Sequence, residues 1–273
     1  AVMSATASIG FIGAGKMALA LAQGWARAGL VAAKDLVAGD VREEGRRDFV
    51  RDAGGRAVAD NREVFGAVEV VVLAVKPDQA VAVLEAVRTA VTERHLIVSI
   101  AAGVVLARLE AALFDGARVM RVMPNTPAMV GASASGFARG RWATSEDSSL
   151  TQRLFAAVGV AVEVPEKLLD AVTGLSGSGP AYVYQVIEAL SDGGVAAGLP
   201  RAIAMQLAAQ TVFGAAKMAI ETGLHPGVLK DMVTSPGGTT IEGLHELEKA
   251  AVRGAFMNAV RASADKANRL GQG

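Results

Sequence analysis

Residues 9–18 read Ile-Gly-Phe-Ile-Gly-Ala-Gly-Lys-Met-Ala, with Gly13, Gly15 and Ala18 at the spacing Gly-x-Gly-x-x-Ala. That spacing suits a dinucleotide pyrophosphate. The first glycine makes a tight turn, the second lets the backbone approach the phosphates, and the small third residue lets a helix pack close to a strand. Free amides at the helix opening then face the anion. A turn without a ligand is the bland alternative. The apolar run ending at Ile12, and Met17, Leu21, Trp25 and Ala28 recurring at helical spacing, favour the nucleotide.

Asp40 sits near the end of the second expected strand and is an acid for adenosine ribose hydroxyls, although it lies farther downstream than the simplest fingerprint requires. Arg42, Arg46 and Arg47 follow it. Their planar donors suit a 2'-phosphate that Asp40 would repel, so NADPH and NADH stand level on these residues. Asn61 offers its amide to a ribose or caps the next turn. Lys76-Pro77-Asp78-Gln79 ends an apolar strand on the side where functional loops gather, so Lys76 is either a crevice residue or a solvent-facing one. Pro124-Asn125-Thr126-Pro127 ends another strand as a rigid polar bend and reads as a cofactor-side or substrate-side loop.

A second chemical stretch, Thr234-Ser235-Pro236-Gly237-Gly238-Thr239-Thr240, precedes a helix carrying Ile241, Leu244 and Leu247. Thr239 and Glu242 have the spacing of a capping box. The concentrated glycines and hydroxyls suggest an anion cradle in which the Gly238 and Thr239 amides face a small carboxylate and Ser235 donates from its side chain. A connection that only joins helices would look similar. Gly177-Ser178-Gly179-Pro180 makes a comparable small-residue approach, near the cofactor or against the first domain. His95, His225 and His245 are far apart and read as structural, and neither a metal set nor a serine-histidine-acid relay emerges.

These stretches need a scaffold. The apolar pattern predicts strands over 9–12, 35–39, 68–75, 96–100, 118–123, 132–137 and 160–164, with a short segment at 57–59. Helices over 42–53, 79–91, 104–113 and 145–157 alternate with them. Beyond residue 164 the period becomes helical only, over 180–190, 201–220, 226–233, 241–250 and 252–268, with breaks at Gly193-Gly194, Gly198-Leu199-Pro200, Gly223 and Pro236-Gly237-Gly238. The expected class is α/β: a Rossmann-type doubly wound parallel sheet over residues 1–164, then an all-helical domain over 165–273.

Composition narrows the function. The chain has 273 residues, and its 27 basic and 27 acidic side chains leave no net field, which argues against nucleic acid as the principal partner. The absence of cysteine excludes disulfides and thiolate chemistry. Apolar runs such as 70–75 are too short to cross a bilayer, so no membrane is expected. The start of the chain lacks the layout of a secretory signal, which makes the cytoplasm the expected location. Between Gly174 and Ala216 the only charged residues are Glu188, Asp192 and Arg201. Helices so apolar call for burial, either against the first domain or against a second copy in a homo-oligomer.

On these residues three activities stay open: imine reduction, another nicotinamide oxidoreduction of a small acid, and cofactor sensing without turnover. The combined motifs resemble the pyrroline-5-carboxylate reductase family. The resemblance rests on Gly10-Phe11-Ile12-Gly13-Ala14-Gly15-Lys16-Met17, Ala74-Val75-Lys76-Pro77, Met123-Pro124-Asn125-Thr126-Pro127, Gly174-Leu175-Ser176-Gly177-Ser178-Gly179-Pro180-Ala181-Tyr182, His225-Pro226 and the stretch from Leu229 to Ile241. It implies reduction of 1-pyrroline-5-carboxylate to L-proline by NADPH or NADH, a dimer with substrate near its interface, and a decamer of five dimers as in some members. By the same resemblance Ile12, Gly13, Ala14, Gly15, Lys16, Met17, Asn61, Ala74, Val75, Lys76 and Pro77 line the cofactor, alongside Asp40 and Arg42. Ser235, Gly238 and Thr239 receive the substrate carboxylate, and Thr240 hydrogen-bonds the ring nitrogen as the catalytic residue. Two stretches depart from the family text. Gly39-Asp40-Val41-Arg42 replaces its Ser-Asn-Arg type of phosphate recognition, and Ala264-Asp265-Lys266-Ala267-Asn268 replaces an Ala-x-x-Arg-Ser ending.

Overall fold

The computed structural model describes residues 8–272, so the expectation about the start of the chain lies outside them. The chain divides into two compact units. One runs to Ser178 and takes in the residues from Arg261 onward, and the other is Gly179–Val260.

The first unit is built on eight strands: β1 (Ile9–Ile12), β2 (Val37–Gly39), β3 (Arg56–Val58), β4 (Val70–Leu73), β5 (Leu96–Ser99), β6 (Arg118–Met123), β7 (Ser133–Arg139) and β8 (Gly159–Glu163). Their order across the sheet is β3-β2-β1-β4-β5-β6-β7-β8. Every neighbouring pair is parallel except β6 and β7. The crossovers are α1 (Lys16–Arg27), α2 (Glu43–Ala53), α3 (Arg62–Ala67), α4 (Pro77–Val87), α5 (Leu106–Ala111) and α6 (Ser145–Ala156), with a short α7 (Leu169–Val172) after β8.

Central strands are apolar on both faces because helices cover both. Phe11, Val72 and Val98 point into one core with Trp25, Phe49 and Phe155. Their neighbours Ile12, Leu73 and Ile97 point into the other with Val64 and Leu84. Burying each of these large side chains contributes about 1.5–3 kcal/mol. Trp25 also satisfies its one donor, with Nε1 giving to the Leu154 carbonyl oxygen at 2.6 Å. Strand order reverses beside β1, since β2 lies on one side and β4 on the other. A crevice outside the carboxyl ends of these strands is where such folds bind ligands.

The residues after β8 stay with the sheet unit. Leu169 is fully buried there. Arg121 on β6, 5% exposed, pairs with Glu166 at 3.0 Å and Asp170 at 3.4 Å. The last strand ends at Glu163, and by compactness the sheet unit continues to Ser178.

The helical unit holds α8 (Gly179–Ala196), α9 (Arg201–Thr222), α10 (Pro226–Met232), α11 (Thr239–Lys249) and the start of α12 (Val252–Gln272). The expected break at Gly193-Gly194 does not occur, and α8 runs through it. A β-carbon on Gly194 would lie 3.2 Å from the Ala204 β-carbon, so this glycine permits close packing of α9 rather than ending α8. On α9, Ala204 and Ala208 are buried while Phe213 and Ile220 are exposed. By length and composition alone α9 is apolar enough for a membrane span, a test that a helix covered by protein passes equally.

Candidate active site

The glycine turn forms as its spacing predicts. Gly13 has φ +95°, a conformation that favours glycine, and its amide donates to the Gly39 carbonyl oxygen at 2.7 Å. Gly15 is the extended N-cap of α1, and a β-carbon added there would meet nothing within 4 Å. That open space is the room a pyrophosphate needs. Ala18 is fully buried, as close packing demands. The Ile12 side chain lies in the core and its carbonyl oxygen accepts from the Ala74 amide, so it shapes the turn from behind. Lys16 is exposed and Met17 half-buried.

A crevice of about 400 Å³ opens at the strand ends, lined by Gly13, Gly15, Gly39, Asp40, Asn61 and Ala74 together with Arg42, Val75 and Lys76. Asn61 Oδ1 is buried without a hydrogen-bond partner among the described residues. It does not cap α3. Asp60 Oδ1 takes that role by accepting from the Arg62 amide at 2.9 Å. A β-carbon on Gly39 would collide with Asn61 Oδ1, a requirement for glycine that the sequence reading did not identify. Lys76 is the exposed N-cap of α4, and Pro77 is its first residue.

Asp40 is 7% exposed. Its Oδ2 accepts from the Ala14 amide at 2.9 Å and from Arg42 Nη2 at 3.2 Å, and its Oδ1 accepts from the Arg42 amide at 2.8 Å. Burial pushes the carboxyl pKa up, but the two amides and the guanidinium outweigh it and hold the group below the ordinary value. Arg46 Nη1 donates to the Asp40 carbonyl oxygen at 2.7 Å, so this arginine braces the strand end. The open Gly15 approach and the unpartnered Asn61 acceptor fit a dinucleotide.

Pro124-Asn125-Thr126-Pro127 is held inward at Asn125, whose Nδ2 donates to the Ser176 carbonyl oxygen at 2.9 Å and whose Oδ1 accepts from the Ser133 hydroxyl at 3.0 Å. Asn125 therefore fastens this bend to the π-helical turn Thr173–Gly177, leaving Thr126 exposed.

In the helical unit, Gly238 is the N-cap of α11 and Thr239 its first residue. The expected capping box between Thr239 and Glu242 is absent, since the helix starts one residue earlier than that box requires, with Gly238 and not Thr239 as its N-cap. The Gly238 amide, expected to face an anion, donates to the Ser235 carbonyl oxygen at 3.1 Å. The opening amides of α11 are then Thr239 and Thr240, and the Thr240 side chain is half-buried. Gly237 turns the loop with φ +64°. His225 Nδ1 caps α10 by accepting from the Gly227 amide at 3.1 Å. His95 is buried, and its Nδ1 accepts from the Thr92 amide at 2.8 Å. Among the described residues no group of three or more His, Asp or Glu side chains could hold a metal ion.

Comparison with known proteins adds identity to this geometry. Residues 166–270 match the family model described as pyrroline-5-carboxylate reductase dimerisation. Residues 8–103 match the one described as NADP oxidoreductase, coenzyme F420-dependent. A Methanosarcina acetivorans protein named pyrroline-5-carboxylate reductase is 53% identical over 264 residues, covering 97% of this chain and 98% of that one. The solved pyrroline-5-carboxylate reductase of Coxiella burnetii aligns with a TM-score of 0.91 at 34% identity, covering 97% and 99% of the two chains. The Plasmodium falciparum pyrroline carboxylate reductase, solved with NADP bound, aligns with a TM-score of 0.87 at 33% identity, covering 97% and 98%.

Proposed function

The chain belongs to the pyrroline-5-carboxylate reductase family, and on that premise we propose how its own residues divide the work. The reaction is hydride transfer to the imine carbon of 1-pyrroline-5-carboxylate, giving L-proline in proline biosynthesis. NADPH or NADH supplies the hydride when bound.

In this reading the sheet unit holds the dinucleotide. Gly13, Ala14 and Gly15 shape the backbone that meets the pyrophosphate, with Lys16 and Met17 at the edge of the turn. Asn61 Oδ1 accepts a ribose hydroxyl, which gives its buried lone pairs the partner they lack in the protein. Ala74, Val75, Lys76 and Pro77 form the facing wall, and Asp40 and Arg42 stand at the adenosine end.

The helical unit holds the imino acid. The Thr239 and Thr240 amides at the opening of α11 receive its carboxylate, aided by the Ser235 hydroxyl, while Gly237 and Gly238 keep the approach clear. The Thr240 hydroxyl holds the ring nitrogen. Its own proton is too weakly acidic for direct ionisation, so it orients an already protonated iminium or relays a proton through water. Catalysis then comes from holding two reacting carbons in line.

One observation carries this reading: a single chain holds both a turn with open space at Gly15 and a glycine-hydroxyl loop that opens a helix. Spectrophotometric assay of pyrroline-5-carboxylate reduction with NADPH and NADH in parallel tests it, and no turnover with either removes it. The dimerisation-family match makes the protein a homo-oligomer. The finer reading is a dimer associating further to a decamer, in the cytoplasm and away from membranes and nucleic acid.

A further inference from the structure

Resting on the dinucleotide reading above, we propose that Asp40 is a positioning residue for the Gly13-Ala14-Gly15 turn and not the acid that grips the adenosine ribose. A carboxylate offers about four acceptor sites. Asp40 fills three of them from the protein: the Ala14 amide and Arg42 Nη2 on Oδ2, and the Arg42 amide on Oδ1. A bidentate grip on a ribose diol needs two. The one site left is on Oδ1, because Oδ2 already accepts twice and faces α2, where even a β-carbon on Gly45 would lie only 3.0 Å away.

What the carboxylate does instead follows from its partners. The Gly13 amide reaches the Gly39 carbonyl oxygen, and the next amide, on Ala14, reaches the next residue's carboxylate. These two adjacent bonds clamp the turn leaving β1 onto the end of β2 and fix the direction of the Gly15 backbone. The clamp is charge-assisted and buried, the class of hydrogen bond with the most to lose on removal. Arg42 offsets the Asp40 charge and remains 63% exposed at the rim, with donors to spare. A 2'-substituent therefore meets a guanidinium before a bare carboxylate, although Glu44 and Asp48 nearby temper its charge.

The test uses ADP-ribose and 2'-phospho-ADP-ribose, which carry the pyrophosphate and differ only at the 2' position. Calorimetric titration of the wild type, Asp40→Ala and Asp40→Asn separates the two roles without involving the imino acid. A failure of the reductase assignment would appear in turnover and leave these titrations intact. For a clamp, Asp40→Ala weakens both ligands by about tenfold or more and preserves their affinity ratio within about twofold. Asp40→Asn, which keeps an acceptor for the Ala14 amide, restores most of that loss. A ribose grip predicts otherwise: Asp40→Asn weakens ADP-ribose and strengthens its 2'-phosphate, moving the ratio by about tenfold. That shift overturns the proposal, as does unchanged binding of both ligands in Asp40→Ala. Should Asp40→Ala fail to fold, the Asp40→Asn ratio alone decides.

Discussion

Gly13 and Ala74 meet backbone to backbone: a β-carbon on Gly13 would lie 2.7 Å from the Ala74 carbonyl oxygen. Gly15, two residues on, has no atom within 4 Å of the same construction and an ordinary φ of −79°. The two glycines of one motif therefore differ in kind. Gly13→Ala should cost about 2 kcal/mol or more of folding stability through strain and collision, read as a lower urea midpoint. Gly15→Ala should leave that midpoint unchanged and weaken ADP-ribose by about tenfold, because its methyl enters space left for phosphate. Equal stability losses in both variants would count against this division.

At the other half-site, Thr240→Ala should lower kcat by about tenfold to a hundredfold with cofactor affinity unchanged, and Thr240→Ser should recover much of it. Both variants remove or keep a hydroxyl at the second position of α11, where no side-chain cap depends on it. A kcat unchanged in Thr240→Ala removes the hydroxyl from the mechanism.

Gly238→Leu addresses the carboxylate. Its β-carbon would stand 3.0 Å from Ser235 Oγ, so the larger side chain displaces the hydroxyl that helps hold the substrate. The KM for pyrroline-5-carboxylate should rise by about tenfold while dinucleotide affinity holds. Circular dichroism confirms that α11 still forms. An unchanged KM in the folded variant moves the carboxylate elsewhere.

Local chemistry was legible in the sequence where it was local in space. The turn at Gly13 and Gly15 involves contiguous residues, and short continuous apolar strands alternating with helices announced the sheet. Contacts made at a distance were not. Nothing near Asp40 in sequence says that its carboxylate will accept from Ala14, and Gly193-Gly194 reads as a break until Ala204 is seen packed against it. The loop before α11 reads in sequence as a glycine-hydroxyl stretch, but that its Gly238 amide donates within a turn is visible only in the folded backbone.

The exposed face of α9 predicts assembly. Phe213 and Ile220, seven residues apart and so two turns along one face, are 60% and 81% exposed, while Ala204 and Ala208 face inward. Within the dimerisation match, that face needs a second copy to cover it. Light scattering after size exclusion should give an oligomeric mass for the wild type and a smaller one for Phe213→Glu with Ile220→Glu. A double variant of unchanged mass and helicity would place the interface on other residues.

His95 gives the fold a pH dependence of known sign. The imidazole is 2% exposed, its Nδ1 accepts from the Thr92 amide at 2.8 Å, and Nε2 lies 3.0 Å from the Phe65 carbonyl oxygen. Accepting from the Thr92 amide keeps Nδ1 unprotonated and the ring neutral, and Arg94 Nε also lies 3.3 Å from Nε2. Burial, first among the causes, and the neighbouring Arg94 cation hold its pKa below the ordinary value of 6.5. The unfolded chain therefore takes up the proton at higher pH than the folded one, so stability is full above the unfolded value and falls as pH drops through it, until folded His95 itself protonates. In that window His95 adds a slope approaching about 1.4 kcal/mol per pH unit. His95→Gln, which keeps an acceptor for Thr92, should flatten urea midpoints between about pH 7 and 5 relative to the wild type. The clamp at Asp40, whose pKa is also lowered, lets go only at more acid pH, below the ordinary carboxylate value of 3.8, so the two losses separate along one titration. If His95→Gln keeps the wild-type slope, the buried imidazole is not its source.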